Sequence, residues 1–176
     1  MCEIIVKKND EYKIVNIFSL TNINKELVCE FFAIFSRFEF AMKECGTYKA
    51  PKNPKKDRAE PNWDKLINDL APKLASNPNT ELLSAIKELV GNPPKVQSHD
   101  LSFRSTQPSR PNNKYAEAIS LTRRVRNNLF HGGKHSEVSK KQKEQDECFL
   151  RASIVVLTHC LLNCEELRTD FETAIW

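Results

Sequence analysis

The sequence predicts a mainly α-helical fold, an up-and-down four-helix-type bundle with a small β-hairpin at its N-terminus. Apolar residues recur at three- and four-residue spacing over several segments, which is typical of helices that bury one face. Asparagine, threonine, glycine and proline stand at the ends of these segments as caps and stops. A chain of 176 residues suits one domain. We therefore expect residues 1–176 to form a single helical domain, with residues 1–20 as a hairpin extension.

The N-terminal region changes from a strand pattern to a helix pattern near residue 21. Two short runs rich in β-branched residues surround Asn9 and Asp10, and this arrangement predicts a hairpin. Thr21 or Asn22 is the expected cap of the next helix, which should run to about Cys45. This helix is apolar on more than one side, so it is either central in the bundle or also part of a dimer interface.

Two shorter helices should follow. Asn62 is a suitable cap for a helix that begins at Trp63, and Pro72 should kink or end that helix. Thr80 is the expected cap of the next helix, which should end at Gly91. We interpret both helices as packing elements without a catalytic role.

The remaining segments alternate between loops and two long helices. Residues 47–61 form a basic loop broken by prolines, either an RNA-contacting arm or a solvated loop, and its basic residues fall within 49–58. Residues 91–112 form a long irregular connection that could gate access to a site. A helix should run from about residue 112 or 113 to 130, and the last helix from about 145 to 169.

Composition indicates a soluble protein of a reducing compartment. No run approaches the roughly 18–20 apolar residues of a membrane span, and the N-terminus lacks a signal-peptide pattern, so we expect a cytoplasmic location and no membrane partner. The six cysteines are then interpreted as reduced thiols that act as small core residues. Cys160, Cys164 and His159 could in principle begin a zinc site, but no CxxC pair and no fourth ligand are evident. We expect no metal and no cofactor.

Positive charge is concentrated in one part of the chain. Residues 104–143 hold ten basic and only two acidic residues, although the whole chain has a net charge of +4. Such a field attracts polyanions without regard to sequence. The alternative is a solvated charged surface, and the choice between the two depends on what else lies in this region.

Residues 123–134 contain the strongest candidate for a chemical site. Arg126 is followed five residues later by His131, which pairs a permanent positive charge with a group that titrates near neutral pH. On one straight helix these two residues lie roughly 140° apart, whereas Asn127 and His131 share a face. Asn127 could therefore orient the imidazole. Arg126 would have to curl round the helix or meet a histidine from a second copy of the chain.

Two segments of the chain resemble the HEPN superfamily of all-helical domains. The ribonucleases of this family carry an arginine, a polar residue, a few further residues and a histidine, which here corresponds to Arg126, Asn127 and His131. The run 123–134, which ends in Gly-Gly-Lys, and the run 35–42 in the first helix are both similar to one bacterial subfamily. The resemblance covers roughly residues 24–168.

The resemblance implies a metal-independent endoribonuclease that cleaves RNA by attack of the 2′-OH. Arg126, His131 and Asn127 would be the catalytic residues, and Arg123, Arg124 and Lys134 would bind the nucleic acid. Family members commonly act as homodimers in which two Arg-His motifs meet in one composite cleft. They serve in phage defence, as toxins or in stress responses, and some have a regulatory or antitoxin partner.

One departure from the family bears on regulation. Toxins paired with a nucleotidyltransferase antitoxin often carry a tyrosine two residues after the histidine, where the antitoxin modifies it. Gly133 stands at that position here, so we do not expect a tyrosine-modifying partner. Two further interpretations remain open, a non-catalytic module that binds RNA or a nucleotide and a bundle that only binds a protein partner.

Overall fold

The computed structural model describes residues 3–8, 11–16, 23–55, 58–100, 102–130 and 140–173. The fold is mainly α-helical, as the sequence predicts. The described residues form six helices, which are α1 (Lys25–Glu44), α2 (Trp63–Ser76), α3 (Thr80–Gly91), α4 (Lys114–Phe130), α5 (Lys140–Leu162) and α6 (Glu165–Thr173).

Within the described ranges, four short strands form two separate antiparallel pairs. Strand β1 (Glu3–Lys8) pairs with β2 (Glu11–Asn16), with Ile5 opposite Ile14 in the register. Strand β3 (Val96–Gln97) pairs with β4 (Phe103–Arg104) in the connection between α3 and α4. Residues 91–112 are therefore not wholly irregular, and β3 lies against α4.

Helix α5 lies at the centre of the helical packing. It contacts α1, α3 and α4, while α2 packs on α4 and α6 packs on α1. All six helices contribute fully buried side chains to the core, and α6 contributes Leu167. Burying this much apolar surface is the main stabilising contribution to such a fold. It also fixes α1, α2 and α4 relative to one another.

Asparagines cap helices α1 to α4, and two of the three caps that the sequence predicts are wrong. Asn62 caps α2 as predicted, and Asn113 begins α4, where its Oδ1 accepts hydrogen bonds from the backbone N–H groups of residues 115 and 116. Helix α1 is capped by Asn24 rather than by Thr21 or Asn22. Helix α3 is capped by Asn79, which is the stronger capping residue and displaces Thr80 into the first turn.

Pro72 does not end α2, which continues to Ser76. A proline inside a helix removes one hydrogen bond of the backbone. Pro72 lies on the exposed side of α2, where water can reach the carbonyl that this leaves unpaired. Of the two effects predicted for Pro72, a kink or an end of the helix, the end is therefore wrong.

The single last helix predicted over residues 145–169 is also wrong, since the chain breaks between α5 and α6. Asn163 ends α5 by donating hydrogen bonds from both its backbone N and its Nδ2 to the carbonyl of His159. The axes of the two helices differ by 111°. Asparagine readily leaves the helical conformation after a last turn, and the break lets α6 pack against α1.

Among the described residues, no single helix has both the length and the apolar composition required to cross a membrane. Taken together, the bent pair α5 and α6 meets that criterion by length and composition only. Both helices contribute side chains to the buried core.

Candidate nucleic-acid site on helix α4

Helix α4 presents its polar residues at one surface because its apolar stripe is buried. Ala118, Leu121 and Val125 are buried in the core, and Leu129 is partly buried, as the spacing predicts. The polar residues between them lie at or near the surface, namely Arg123, Arg124, Arg126, Asn127 and Asn128. The positions of the candidate site residues thus follow directly from the pattern of the helix.

Arg126 lies against α1. Its Nη2 is 4.0 Å from Oε2 of Glu39, and its guanidinium lies over the ring of Phe35, with 5.7 Å between Cζ and the ring centroid. Its Nη1 donates a 3.1 Å hydrogen bond to Oδ1 of Asn127. The Arg126 side chain is still 36% exposed. The guanidinium is therefore oriented by three neighbours and remains accessible to an anion.

Asn127 contacts the arginine that precedes it. Its carboxamide oxygen accepts a hydrogen bond from Arg126 in the same helix. His131 and Lys134, the other two predicted site residues of this run, lie outside the described residues. The expectation that Asn127 orients the imidazole stays a prediction.

Trp63 lies between Arg123 and the carboxylate that contacts Arg126. Its Nε1 donates a 3.2 Å hydrogen bond to Oε1 of Glu39, the same carboxylate that lies near Arg126. The guanidinium of Arg123 lies over the indole, with 5.4 Å between Cζ and the ring centroid. Trp63 itself is 4% exposed and stacks on Phe35 and Phe38 of α1. A cation over an indole face is favoured electrostatically, so Trp63 orients Arg123 directly and Arg126 through Glu39.

The other basic residues of α4 line a groove beside Arg126. It is an open cavity of about 710 Å³ between α2, α4 and β3, and Arg123, Arg124, Asn127 and Asn128 form its α4 side. Two hydrogen bonds hold the segment before β3 against α4. Arg124 Nη1 donates to the carbonyl of Pro94 at 3.2 Å, and Asn128 Nδ2 donates to the carbonyl of Lys95 at 2.8 Å.

The far end of this groove is held by a buried carboxylate. Glu117 is 3% exposed, and its Oε2 accepts a 2.8 Å hydrogen bond from Ser109 Oγ and a 2.7 Å hydrogen bond from the backbone N–H of Arg110. The Arg110 side chain then pairs with Asp64 at the start of α2, with 2.7 Å between Nη2 and Oδ1. A buried carboxylate is stable only when its oxygens accept such bonds.

Sequence reasoning missed three contributors to this region. Trp63 carried only the signal of a helix start, Arg110 is a lone basic residue in a loop, and Glu117 lies on the buried side of α4. Glu39 and Arg37 are charged residues on the aromatic helix α1, and they have different roles. Glu39 contacts Arg126 and Trp63, whereas Arg37 donates hydrogen bonds to the carbonyls of Phe171 and Glu172 at the end of α6.

The described cysteines are all free thiols, and they divide into two groups. Cys45, Cys160 and Cys164 are buried, as expected for core residues, whereas Cys29 and Cys148 are exposed. Burial raises the pKa of the Cys45 thiol to about 11, and the hydrogen bond that this thiol donates to the Glu166 carboxylate adds to the rise. Burial also raises the pKa of the Cys160 thiol. Within the described part of the chain, no group of His, Cys, Asp or Glu side chains is placed to hold a metal ion.

Comparison of this chain with family models, with curated proteins and with solved structures gave no match.

Proposed function

We propose that this chain is a HEPN-type endoribonuclease that cleaves RNA by attack of the 2′-OH on the adjacent phosphodiester, without a metal ion. The 2′-OH is an internal nucleophile, so the protein has only to move protons and to stabilise negative charge on the phosphoryl oxygens. The proposal includes the finer fold expected for such an enzyme, an up-and-down four-helix-type bundle with an N-terminal β-hairpin, and a cytoplasmic location.

The observation that carries this proposal is the setting of Arg126. A guanidinium that is oriented by Glu39, Phe35 and Asn127 and yet remains exposed is suited to bind phosphoryl oxygens through its planar fork. Preorganised positive charge of this kind stabilises a transition state in which negative charge develops. Arg126 lies near the C-terminal end of α4, so the chain continues from it directly to His131.

The proposed roles follow from this arrangement. Arg126 stabilises the charge on the phosphoryl oxygens, and His131 acts as general base or acid, a contribution of about 10²- to 10⁴-fold. Asn127 orients the guanidinium of Arg126, while Arg123, Arg124 and Lys134 bind the RNA backbone. The products are a 2′,3′-cyclic phosphate and a 5′-OH.

A homodimer is part of the proposal because one histidine does not readily serve both ends of the displacement. Two copies of the chain would bring two Arg-His motifs into one cleft, with one histidine acting as base and the other as acid. Helix α1 supports this with two exposed aromatic side chains, Phe32 (50% exposed) and Phe40 (42% exposed). The resemblance favours a role in phage defence, toxin activity or stress response.

The test is incubation of the purified protein with labelled RNA in excess EDTA. The wild type should cleave, while Arg126→Ala and His131→Ala should not. Arg126→Lys is the informative third variant, because it keeps the charge but loses the planar fork, and we expect it to remain strongly impaired.

A non-catalytic RNA-binding or nucleotide-binding module is the second candidate, and the groove beside Arg126 favours it. Arginine side chains line that groove, and binding of RNA by these side chains does not require cleavage. The two candidates differ in one outcome, since a binding module retains RNA in low salt, gives no product and is unaffected by His131→Ala.

A further inference from the structure

The groove between α2, α4 and β3 is a separate feature from the setting of Arg126. Arg126 is not among its lining residues, which include Arg110, Arg123, Arg124, Asn127, Asn128 and Asp64. Its volume of about 710 Å³ lies within the range of clefts that hold a small organic ligand. This is enough space for one or two nucleotides.

We propose that this groove binds a short unpaired segment of the RNA strand beside the phosphodiester that is cut. The choice of RNA as ligand rests on the proposed function. The location of the segment and its single-stranded character rest on the groove itself.

The charges of the groove favour an anion. Three arginines line it against a single carboxylate, that of Asp64. Arg123 is the most accessible of them, since it is exposed whereas Arg110 and Arg124 are partly buried. Its guanidinium lies over the face of Trp63. Arg124 is partly buried and is held in place by the carbonyl of Pro94. Guanidinium groups fixed in this way bind phosphate with less loss of side-chain entropy than mobile lysines do.

Arg110 has a partner that a phosphate can replace. Its Nη2 lies 2.7 Å from Asp64 Oδ1, but the Asp64 side chain is 81% exposed. An ion pair with so exposed a partner contributes little stability, so the guanidinium can exchange the carboxylate for a phosphate at low cost. Asp64 then acts as a competitor for the RNA, and its removal should tighten binding.

The walls of the groove explain the preference for an unpaired strand. Ile67 of α2 and Val96 of β3 contribute apolar surface, and Asn127 and Asn128 contribute polar side chains from α4. A base can reach these surfaces only when it is not held in a duplex, because single strands expose base faces and edges that duplexes hide. The hydrogen bond from Asn128 Nδ2 to the carbonyl of Lys95 keeps the wall at β3 in place without a ligand.

The experiment measures binding of a short fluorescent oligonucleotide by anisotropy over a range of salt concentrations. Its riboses are 2′-O-methylated, so it cannot be cleaved and binding is read independently of catalysis. The variants are Arg123→Gln, Arg124→Gln and Asp64→Asn. Arg151→Gln is the matched control, because Arg151 is exposed on α5 and does not line the groove. A duplex of the same sequence and a mononucleotide are the competing ligands.

We expect Arg123→Gln to weaken single-strand binding about tenfold and to reduce the slope of log K against log[salt] by roughly 0.7, the value for one phosphate contact on a single strand. Arg124→Gln should weaken binding similarly, and Arg151→Gln should leave it unchanged. Asp64→Asn should tighten binding about two- to fivefold. A merely structural role for Asp64 does not produce a gain of affinity.

Several results would overturn the proposal. Binding that is unaffected by both Arg123→Gln and Asp64→Asn would place the RNA elsewhere, as would the absence of binding by a protein that still cleaves unmodified RNA. Equal affinity for the duplex would exclude the unpaired segment, and equal affinity for the mononucleotide would indicate a free nucleotide instead of a strand. If the predicted binding pattern appears but unmodified RNA is not cleaved, the ribonuclease proposal fails while the groove proposal stands.

Discussion

The guanidinium of Arg126 lies 4.0 Å from the carboxylate of Glu39, and this contact links the motif helix α4 to α1. The other oxygen of the same carboxylate accepts a hydrogen bond from Trp63 Nε1, so Glu39 is itself held in place. A phosphate-binding arginine that is already oriented does not have to be immobilised when substrate arrives. Glu39 is thus a positioning residue in the proposed mechanism.

Glu39→Gln should separate positioning from binding. Glutamine still accepts a hydrogen bond from Trp63 Nε1 but no longer attracts Arg126. We expect kcat for RNA cleavage to fall on the order of tenfold with little change in KM, because a misplaced group affects the transition state more than substrate affinity. Glu30→Gln, an exposed acid on the same helix, is the control and should behave as the wild type. An equal loss in both variants would mean that only net charge matters.

Trp63 should contribute strongly to stability. It is 4% exposed and stacks on Phe35 and Phe38 at centroid distances of 5.6 and 5.7 Å. We expect Trp63→Ala to lower the free energy of unfolding by about 3–5 kcal/mol, measured by urea denaturation followed by circular dichroism. Trp63→Phe should cost less, since it keeps an aromatic ring and loses only the larger indole and its hydrogen bond to Glu39. Equal losses in the two variants would contradict the stacking account.

The cap of α3 can be tested by a pair of neighbouring substitutions. Asn79 Oδ1 accepts a 2.8 Å hydrogen bond from the backbone N–H of Leu82, while Thr80 is the first residue of the helix. Asn79→Ala should therefore lower the free energy of unfolding by about 1 kcal/mol, and Thr80→Ala should have little effect. If Thr80→Ala lowers the stability more than Asn79→Ala in thermal or urea denaturation, Thr80 is the cap instead.

The buried thiols should make the fold less stable at high pH. The pKa of Cys45 is raised from 9.0 to about 11 in the folded protein, chiefly by burial. Between pH 9 and pH 11 the unfolded chain loses the thiol proton, whereas the folded chain retains it. The contribution of Cys45 to the free energy of unfolding is therefore fully present below pH 9 and is lost as the pH rises towards 11. Urea midpoints measured across this range should decline, and the decline should be smaller in Cys45→Ala. If the urea midpoint of Cys45→Ala declines with pH as steeply as that of the wild type, other groups cause the loss of stability.

The buried and the exposed cysteines should differ in the reactivity of their thiols. Cys29 and Cys148 are exposed, whereas Cys45, Cys160 and Cys164 are buried. Alkylation of the native protein near pH 8, followed by peptide mapping, should label the first two rapidly and the other three only after denaturation. Rapid labelling of Cys160 in the native state would contradict its complete burial.

The helical fold could be predicted from the sequence because periodicity depends on local residues. The stripe of α4 and the cap at Asn62 required no knowledge of tertiary contacts. The break between α5 and α6 could not be predicted in the same way, since apolar residues continue through Asn163 and only the packing of α6 on α1 shows why the chain bends there. Adjacent capping residues such as Asn79 and Thr80 likewise compete locally, and the sequence alone does not decide between them.

The candidate site likewise contains some residues that the sequence reveals and others that only the packing of the helices brings together. Arg126, Asn127, Arg123 and Arg124 belong to one continuous run, so a sequence motif is sufficient to find them. Glu39 and Trp63 are distant in the chain and meet these arginines only through the packing of α1 and α2 on α4. Arg110 reaches the groove because the buried Glu117 binds its backbone, which is a tertiary contact without a sequence signature.

The most direct test of the central claim is an analysis of the ends of RNA cut in excess EDTA. The wild type should give fragments with a 2′,3′-cyclic phosphate and a 5′-OH, and Arg126→Ala and His131→Ala should give none. Intact RNA from the wild-type protein would contradict the proposed mechanism, and so would fragments ending in a 5′-phosphate or fragments that persist in both variants.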